Sequence, residues 1–442
     1  MATIIPFRGV LYDRAVVGDI AQVVAPPYDV IDEAAQRALH ARHPRNVIRL
    51  ELGLDEPGDG PARNKYTRAA AQLQEWLKHG VLQRDSWPAV YPYSIEYRAP
   101  GSATGEATRI LKGFLATVTL EEFGTGQIYP HENTRAAAKE DRLRLLEACR
   151  ANFSPIFSLF SDPDSRVTRL LEKAFDAGHP RIECLDDAGF RHRLWSVTDP
   201  VILQELAAHL KPTPLFIADG HHRYETALVY RRRRRQEAGA HAPGSLQPYD
   251  AVLMLFAGLE DPGLTVLPTH RVLRSPLPPM TVIRQRLAPA FSIEERTFTP
   301  VTEPEVRRRF LSALRARGQG EQIFGLTIKA TPAYYLLALR PGHGPKPDAS
   351  PRDRLDVSVL QQQVLSQILT SKKDEEALAY TKDAHEALDW VRAGSAEAAL
   401  LLNPTKVSEV RAVAARGERM PHKSTYFFPK PLTGLVMNVF ED

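Results

Sequence analysis

The apolar run Pro214–Ala218 passes without interruption into Asp219-Gly220-His221-His222-Arg223, and this junction constrains the fold more than any other stretch of the chain. A strand with no polar alternation is buried on both faces, so it needs neighbouring strands and a covering layer. Glycine follows at once, and Tyr224, Ala227 and Leu228 open a helical pattern that ends before Gly239. Ala251–Phe256 reads as a second buried strand. The chain is therefore expected to build a sheet with helices packed on it.

Composition supports a chain able to fill such a core. Of 442 residues, 43% are hydrophobic and 25% charged, the usual balance of a globular protein. The 26 glycines and 35 prolines make up about 14%, well below the roughly 25–30% of low-complexity chains. A length near three times the usual ~150 residues per domain suggests two or three domains. Net charge is +4, too weak to argue for nucleic acid. The two cysteines, Cys149 and Cys184, form neither a CxxC pair nor a disulfide framework, so a reducing cytoplasm is the expected location. No stretch approaches the ~20 apolar residues of a membrane span, and MATIIPFRGV lacks the apolar centre of a signal peptide.

The pattern divides the chain into three parts: an N-terminal α/β segment 1–109, a core 110–274 and a C-terminal α/β domain 275–442. In the first, the double proline of Ala25-Pro26-Pro27-Tyr28-Asp29 makes a rigid turn. Helices are predicted from Asp32 to His43 and from Ala62 to His79, and strands over Val90–Arg98 and Arg109–Leu120 pair as a hairpin across 100–106. In the core, helices are predicted over Thr134–Asn152, Asp162–Gly178 and Val201–Leu210. Beyond the proline-rich stretch Ser275–Pro304, Gln322–Ile328 and Ala333–Arg340 read as paired strands. Helices over about 355–370 and 383–393, the strand Ala398–Asn403 and a helix near Thr405–Ala415 complete the pattern. The irregular alternation favours α+β over a doubly wound sheet.

Chemistry is concentrated at two places. At the first, a helix N-terminus presents backbone N–H groups and the positive end of the helix dipole, which suit a phosphate. Gly220 lets the backbone approach closely, and Arg223 offers a planar fork for phosphate oxygens. Asp219 is placed to hold Mg²⁺ against a nucleotide. The bland alternative is a strand–helix turn with two surface histidines. The second place is Pro130-His131-Glu132-Asn133-Thr134, where Glu132 is either a partner of a helix N-terminus or a general base restrained by Pro130.

The pairing of Pro130-His131-Glu132 with Asp219-Gly220-His221-His222-Arg223 resembles the free-serine kinases of the ParB/sulfiredoxin-like superfamily. Over nearly its whole length the chain also resembles the family of domain of unknown function 1015. That likeness is carried by Pro6-Phe7-Arg8-Gly9, by Ala25-Pro26-Pro27-Tyr28-Asp29-Val30-Ile31 and by the two segments above. It is carried further by Asp261-Pro262-Gly263-Leu264, by Leu267-Pro268-Thr269-His270-Arg271, and by the stretch from Met420 to Lys430. The kinase resemblance implies a ParB/sulfiredoxin-like core with N- and C-terminal α/β extensions. It makes Glu132 the base for a serine hydroxyl and Asp219 the second essential acid, near Mg²⁺. It makes Gly220, His221, His222 and Arg223 the nucleotide phosphate turn, with His131 beside it. The two motifs lie further apart than in the compact kinases, the predicted helix 162–178 and its neighbours forming an insertion.

Weaker candidates remain open. Lys423, Ser424, Thr425 and Lys430 form a basic and hydroxyl cluster that either closes over phosphate or is a solvated C-terminal strand. Thr134, His270 and Arg271 are candidate substrate contacts. Asp29 either recognises a substrate amine or caps its turn. The run Arg231–Arg235 lacks interleaved aromatics and falls late in its helix, so it reads as a solvated face rather than a nucleic-acid site. There is no GxxxxGK[ST], no GxGxxG after a strand, no GxSxG and no spaced Cys/His set. The expectation is a kinase transferring phosphoryl from ATP or ADP to free L-serine, with no membrane or nucleic-acid partner. The alternative is a ParB-like CTP or ATP switch or hydrolase with no amino-acid acceptor.

Overall fold

The computed structural model describes residues 2–100, 107–131, 136–176, 179–239, 246–369, 371, 377–421 and 423–441. They form an α+β protein in two compact units, Met1–Thr265 with Pro429–Asp442, and Val266–Phe428.

The first unit is built on a sheet of nine strands among the described residues. In chain order these are β1 (Ile4–Ile5), β2 (Tyr91–Tyr97), β3 (Arg109–Thr119), β4 (Ile128–Tyr129), β5 (Ile156–Phe160), β6 (Ile182–Leu185), β7 (Arg191–Leu194), β8 (Leu215–Asp219) and β9 (Ala251–Gly258). Their spatial order is β4-β8-β5-β9-β3-β2-β7-β6, with β1 beside the end of β3. The predicted hairpin is present, Tyr91 opposite Leu115 and Tyr97 opposite Arg109. On its other edge β3 pairs antiparallel with β9. There Gly113 is obligatory, because a Cβ would come within 2.4 Å of the Phe256 carbonyl oxygen.

Helices α1 (Lys65–Lys78), α2 (Ala136–Cys149), α3 (Arg166–Asp176), α4 (Pro200–Leu210) and α5 (His221–Ala238) accompany the sheet. Apolar residues of the last three, among them Leu171, Leu206, Tyr224 and Leu228, join Phe114, Val118, Ile156, Ile217, Met254 and Phe256 in one core. Phe114 and Phe256 stack with ring centres 5.0 Å apart. The helix starts follow their caps. Asn64 and Thr67 form a reciprocal capping box at α1. Asp162 accepts from the backbone N–H of Arg166 and Val167, so α3 begins four residues later than its acid suggests.

Ile128–Tyr129, Ile156–Phe160 and the pair β6 and β7 have no counterpart in the sequence reading. Ile156–Phe160 lies at the centre of the sheet, parallel to β9 and antiparallel to β8, and β6 and β7 form an edge hairpin. The arginine run also differs from expectation. It falls late in α5, as expected, but Arg231 is buried, donating to the carbonyl oxygen of Leu120 at 2.5 Å and to Glu122 at 2.9 Å. One arginine of the five is thus an internal clamp rather than part of a solvated face.

The second unit is a six-stranded antiparallel sheet among the described residues. Its strands are β10 (His270–Leu273), β11 (Phe291–Thr297), β12 (Ile323–Ile328), β13 (Ala333–Leu339), β14 (Ala379–Thr381) and β15 (Ala398–Leu401), in the order β11-β13-β12-β15-β10-β14. The predicted pair is in register with Ile323 opposite Ala338. Helices α6 (Glu303–Arg317) and α7 (Ala384–Arg392) cover it, burying Phe310, Leu314, Leu388 and Val391 against Tyr334, Leu336 and Leu401. The helix predicted near 355–370 is present, with a widened π turn over Leu360–Leu365.

Candidate functional site

The carboxyl end of β8 and the start of α5 form the candidate site in the first unit. A bulge between Ile217 and Asp219 breaks the β8–β5 register and turns the strand end outward. Gly220 then takes a left-handed conformation, φ +94°, which lets strand become helix within one residue. A Cβ at Gly220 would lie 3.0 Å from the Arg223 guanidinium. The glycine therefore serves both the backbone and the side chain three residues on. It supplies no side-chain cap to the 18-residue helix, so the N-terminal end of α5 retains its positive character.

Asp219 is held by two cations. Arg223 Nη2 donates to its Oδ2 at 2.7 Å, and Lys430 Nζ to its Oδ1 at 2.6 Å. Lys430 reaches on to Asp29 Oδ2 at 2.7 Å. The side chains of Asp219, Arg223 and Lys430 are 16%, 11% and 10% exposed. Burial works to raise the Asp219 carboxyl, but Lys430 and then Arg223 outweigh it and hold the group well below the usual carboxylate range. Arg223 Nη1 donates to the Pro155 carbonyl at 2.7 Å, while its buried Nε has no partner among the described residues. The guanidinium is aimed by two contacts and keeps donor capacity.

Behind the turn, Tyr28 lies under two guanidinium groups, Arg142 at 4.4 Å and Arg223 at 5.8 Å from its ring centre. Burial pushes its phenol up to about 12. Arg142 is paired with Glu51 at 3.1 Å, both side chains almost fully buried, and Ser154 Oγ donates to the same carboxylate. The cavity among Glu51, Arg142, Ser154, Arg223 and Thr226 holds about 50 Å³, room for water but not for a nucleotide. A ligand of the turn must approach from its open side.

The two motifs separated in sequence are neighbours. β4 runs parallel to β8 on the sheet edge, Ile128 opposite Leu215 and Tyr129 opposite Phe216. One step on, the His131 backbone N–H donates to His221 Nε2 at 3.2 Å, and the two imidazoles meet edge to face at 4.6 Å. Nε2 of His221 is thereby the acceptor, which places its proton on Nδ1 when the ring is neutral. Both rings are buried, and burial pushes His131 down to about 4. His131 and His221 thus join the strand edge to the turn from within, while His222 is half-buried. Glu132 and Thr134 lie outside the described residues.

The remaining candidates belong to the second unit. His270 is buried and accepts the Leu402 backbone N–H at 3.3 Å. Burial pushes its imidazole down to about 4. Arg271 is also buried, donating to the Thr269 carbonyl and, at 3.1 Å, to that of Lys423. Lys423 has φ +56°, a left-handed backbone that non-glycine residues seldom adopt. The Ser424 carbonyl accepts from Thr405 Oγ1 at 2.9 Å, and Thr425 is buried. The structure brings Arg271 and the Lys423–Thr425 segment together within this unit, with His270 one residue before Arg271 on β10.

Sequence reasoning gave Lys430 and Asp29 no part at Asp219, and it passed over Arg142 and Glu51. Beyond the cluster in which Lys430 was grouped with Lys423–Thr425, a signal for it is the Pro429-Lys430-Pro431 triplet, whose two prolines stiffen the backbone around one lysine. Among the described residues no group of three or more His, Cys, Asp or Glu side chains is arranged for a metal ion. Both oxygens of Asp219 are already engaged by cations. The described donor set therefore does not fit Mg²⁺ as it stands. No helix among the described residues is long and apolar enough to cross a membrane.

Several solved structures are similar to this chain at low identity. A conserved hypothetical protein from Pyrococcus furiosus is 13% identical with a TM-score of 0.33, covering 71% of this chain and 92% of its own. A free serine kinase in complex with AMP is 14% identical with a TM-score of 0.33, covering 71% and 88%. SbnI with C-terminal truncation, from Staphylococcus aureus, is 12% identical with a TM-score of 0.34, covering 70% and 82%. Likenesses this distant do not bear on chemistry. No curated protein matches. The family model of DUF1015, described as a protein of unknown function, matches residues 4–358, and the chain belongs to that family.

Proposed function

We propose that the protein is a small-molecule kinase, transferring a phosphoryl group from ATP or ADP to the hydroxyl of free L-serine. The phosphate-handling part is placed in residues 110–274, read as a ParB/sulfiredoxin-like core. The observation that carries the reading is the Gly220 turn. A left-handed glycine opens an 18-residue helix with no side-chain cap, and beside it Arg223 is partly buried and oriented from two sides, its buried Nε without a partner among the described residues. Such a turn suits an anion of fixed geometry, because backbone N–H groups and a guanidinium fork are both ready before the ligand arrives.

Phosphoryl transfer asks a protein chiefly to position reactants and to offset developing charge. The α5 N-terminus and Arg223 bind and orient the donor phosphates. Asp219 holds Arg223 in place through its carboxylate. Glu132, one residue beyond His131, accepts the serine hydroxyl proton. His131 contributes its backbone N–H to His221 and so ties the segment leading to Glu132 to the turn. No step is assigned to Mg²⁺.

Glu132→Gln tests this reading. Turnover of serine should fall by about 10²–10⁴, the usual worth of general-base assistance, with unchanged melting temperature and unchanged ADP affinity. A variant that phosphorylates serine at the wild-type rate removes Glu132 from the mechanism. A preference for CTP with no dependence on an amino acid would instead favour the nucleotide switch.

A further inference from the structure

Lys430 is placed with more care than a surface lysine requires. Prolines on either side restrict its backbone to extended conformations. The residues that follow are tied to the double-proline turn. Thr433 and Ala25 exchange backbone hydrogen bonds, 2.8 Å from the Thr433 N–H and 3.2 Å from that of Ala25, and Thr433 Oγ1 donates to the Pro26 carbonyl at 3.2 Å. Leu432 N–H reaches the Tyr93 hydroxyl at 3.4 Å. The ammonium so delivered sits between Asp29 and Asp219, at 2.7 and 2.6 Å. Three segments far apart in sequence thus meet at one charge.

Asp219 immediately precedes Gly220, so its carboxylate stands at the entrance of the turn assigned above to phosphate. An uncompensated negative charge there would repel the ligand. Arg223 alone would be consumed in neutralising it. We propose that Lys430 is the positioning residue of the phosphate turn: it shares the neutralisation of Asp219 with Arg223, so that the guanidinium is not the carboxylate's sole counter-charge, and makes the entrance attractive to a polyphosphate. The inference rests on the phosphate-binding reading of the turn, not on the identity of the acceptor. Asp29 has the opposite effect, drawing the ammonium away from the turn.

A purely structural tie makes different predictions, and Asp29 separates the two. Binding of ADP and of inorganic pyrophosphate would be measured by titration calorimetry at low and high salt, with thermal melting as the folding control. Lys430→Met should weaken both ligands by roughly tenfold or more and flatten the salt dependence, as loss of one cation from an anion site does. Lys430→Arg should restore binding to within about threefold, since it keeps the charge. Asp29→Asn should tighten both ligands, because it adds one net positive charge at the turn. A structural tie would instead weaken them. Should Lys430→Met fail to fold, the sign of the Asp29→Asn effect decides alone. Wild-type affinity in a folded Lys430→Met, or weaker binding in Asp29→Asn, overturns the inference. Wild-type protein that binds neither ligand overturns both the inference and the kinase reading. Lys430-dependent pyrophosphate binding without phosphoserine formation supports the inference and removes the kinase.

Discussion

Replacing Asp219 with asparagine tests whether the charge cluster at the turn is a fixed part of the fold. The amide would keep one acceptor oxygen but place no charge between Lys430 and Arg223. Removing one partner of a buried ion pair usually costs about 3–5 kcal/mol, because the other is left buried and uncompensated. Here Lys430 retains Asp29 and Arg223 retains the Pro155 carbonyl, so the lower end, about 3 kcal/mol, is expected. For a unit of this size that is about 6–12 °C in melting temperature. The pH dependence has a definite sign. The Asp219 carboxyl is held well below its usual range, so its contribution is fully present above the unfolded value of about 4 and is lost as pH falls through the lower, folded value. The gap between wild type and Asp219→Asn should be constant from about pH 5 to 8 and close only under strongly acidic conditions. Urea titrations at several pH values, with the slopes compared, would measure it. A variant as stable as wild type at neutral pH, or a gap that widens on acidification, would refute the reasoning.

Two further outcomes follow from the same geometry. Gly220→Ala should cost about 1–2 kcal/mol for a left-handed alanine. It should also weaken ADP binding, because the new methyl displaces the Arg223 guanidinium; unchanged affinity by calorimetry would detach the glycine from ligand binding. Glu51→Gln removes one of the two carboxylates on the buried Arg142, which keeps Asp141 at 2.5 Å, so the lower end of the usual range, about 3 kcal/mol, is expected in urea unfolding; a loss below about 1 kcal/mol, the worth of an exposed pair, would show that the pair is not maintained in solution.

Legibility from sequence followed the range of the interactions. The Asp219–Gly220 junction was readable because an apolar run, a glycine and a helical period adjoin one another, and each is a local signal. The Tyr91–Tyr97 and Arg109–Thr119 pairing was readable for the same reason. Ile156–Phe160 was passed over because its five residues are interrupted by Ser158, whose hydroxyl donates to the Leu255 carbonyl on the neighbouring strand. Arg231 read as solvated because a run of like charges carries no mark of which member turns inward. Its acceptor is the carbonyl of Leu120, more than a hundred residues away. The same distance concealed the cluster at the site. The tie from Lys430 to Asp219 spans 211 residues and that to Asp29 spans 401, so no pattern in a window of sequence contains it. His131 and His221 were both singled out, yet their contact depends on the parallel pairing of Ile128–Tyr129 with Leu215–Asp219.

The most direct measurement is ³¹P NMR of the purified protein incubated with ATP or ADP, with and without L-serine. The account predicts a new phosphomonoester resonance that appears only with serine, matches authentic O-phosphoserine and is lost in Glu132→Gln. Nucleotide hydrolysis to inorganic phosphate at the same rate with and without serine, and no such resonance with either donor, would contradict it.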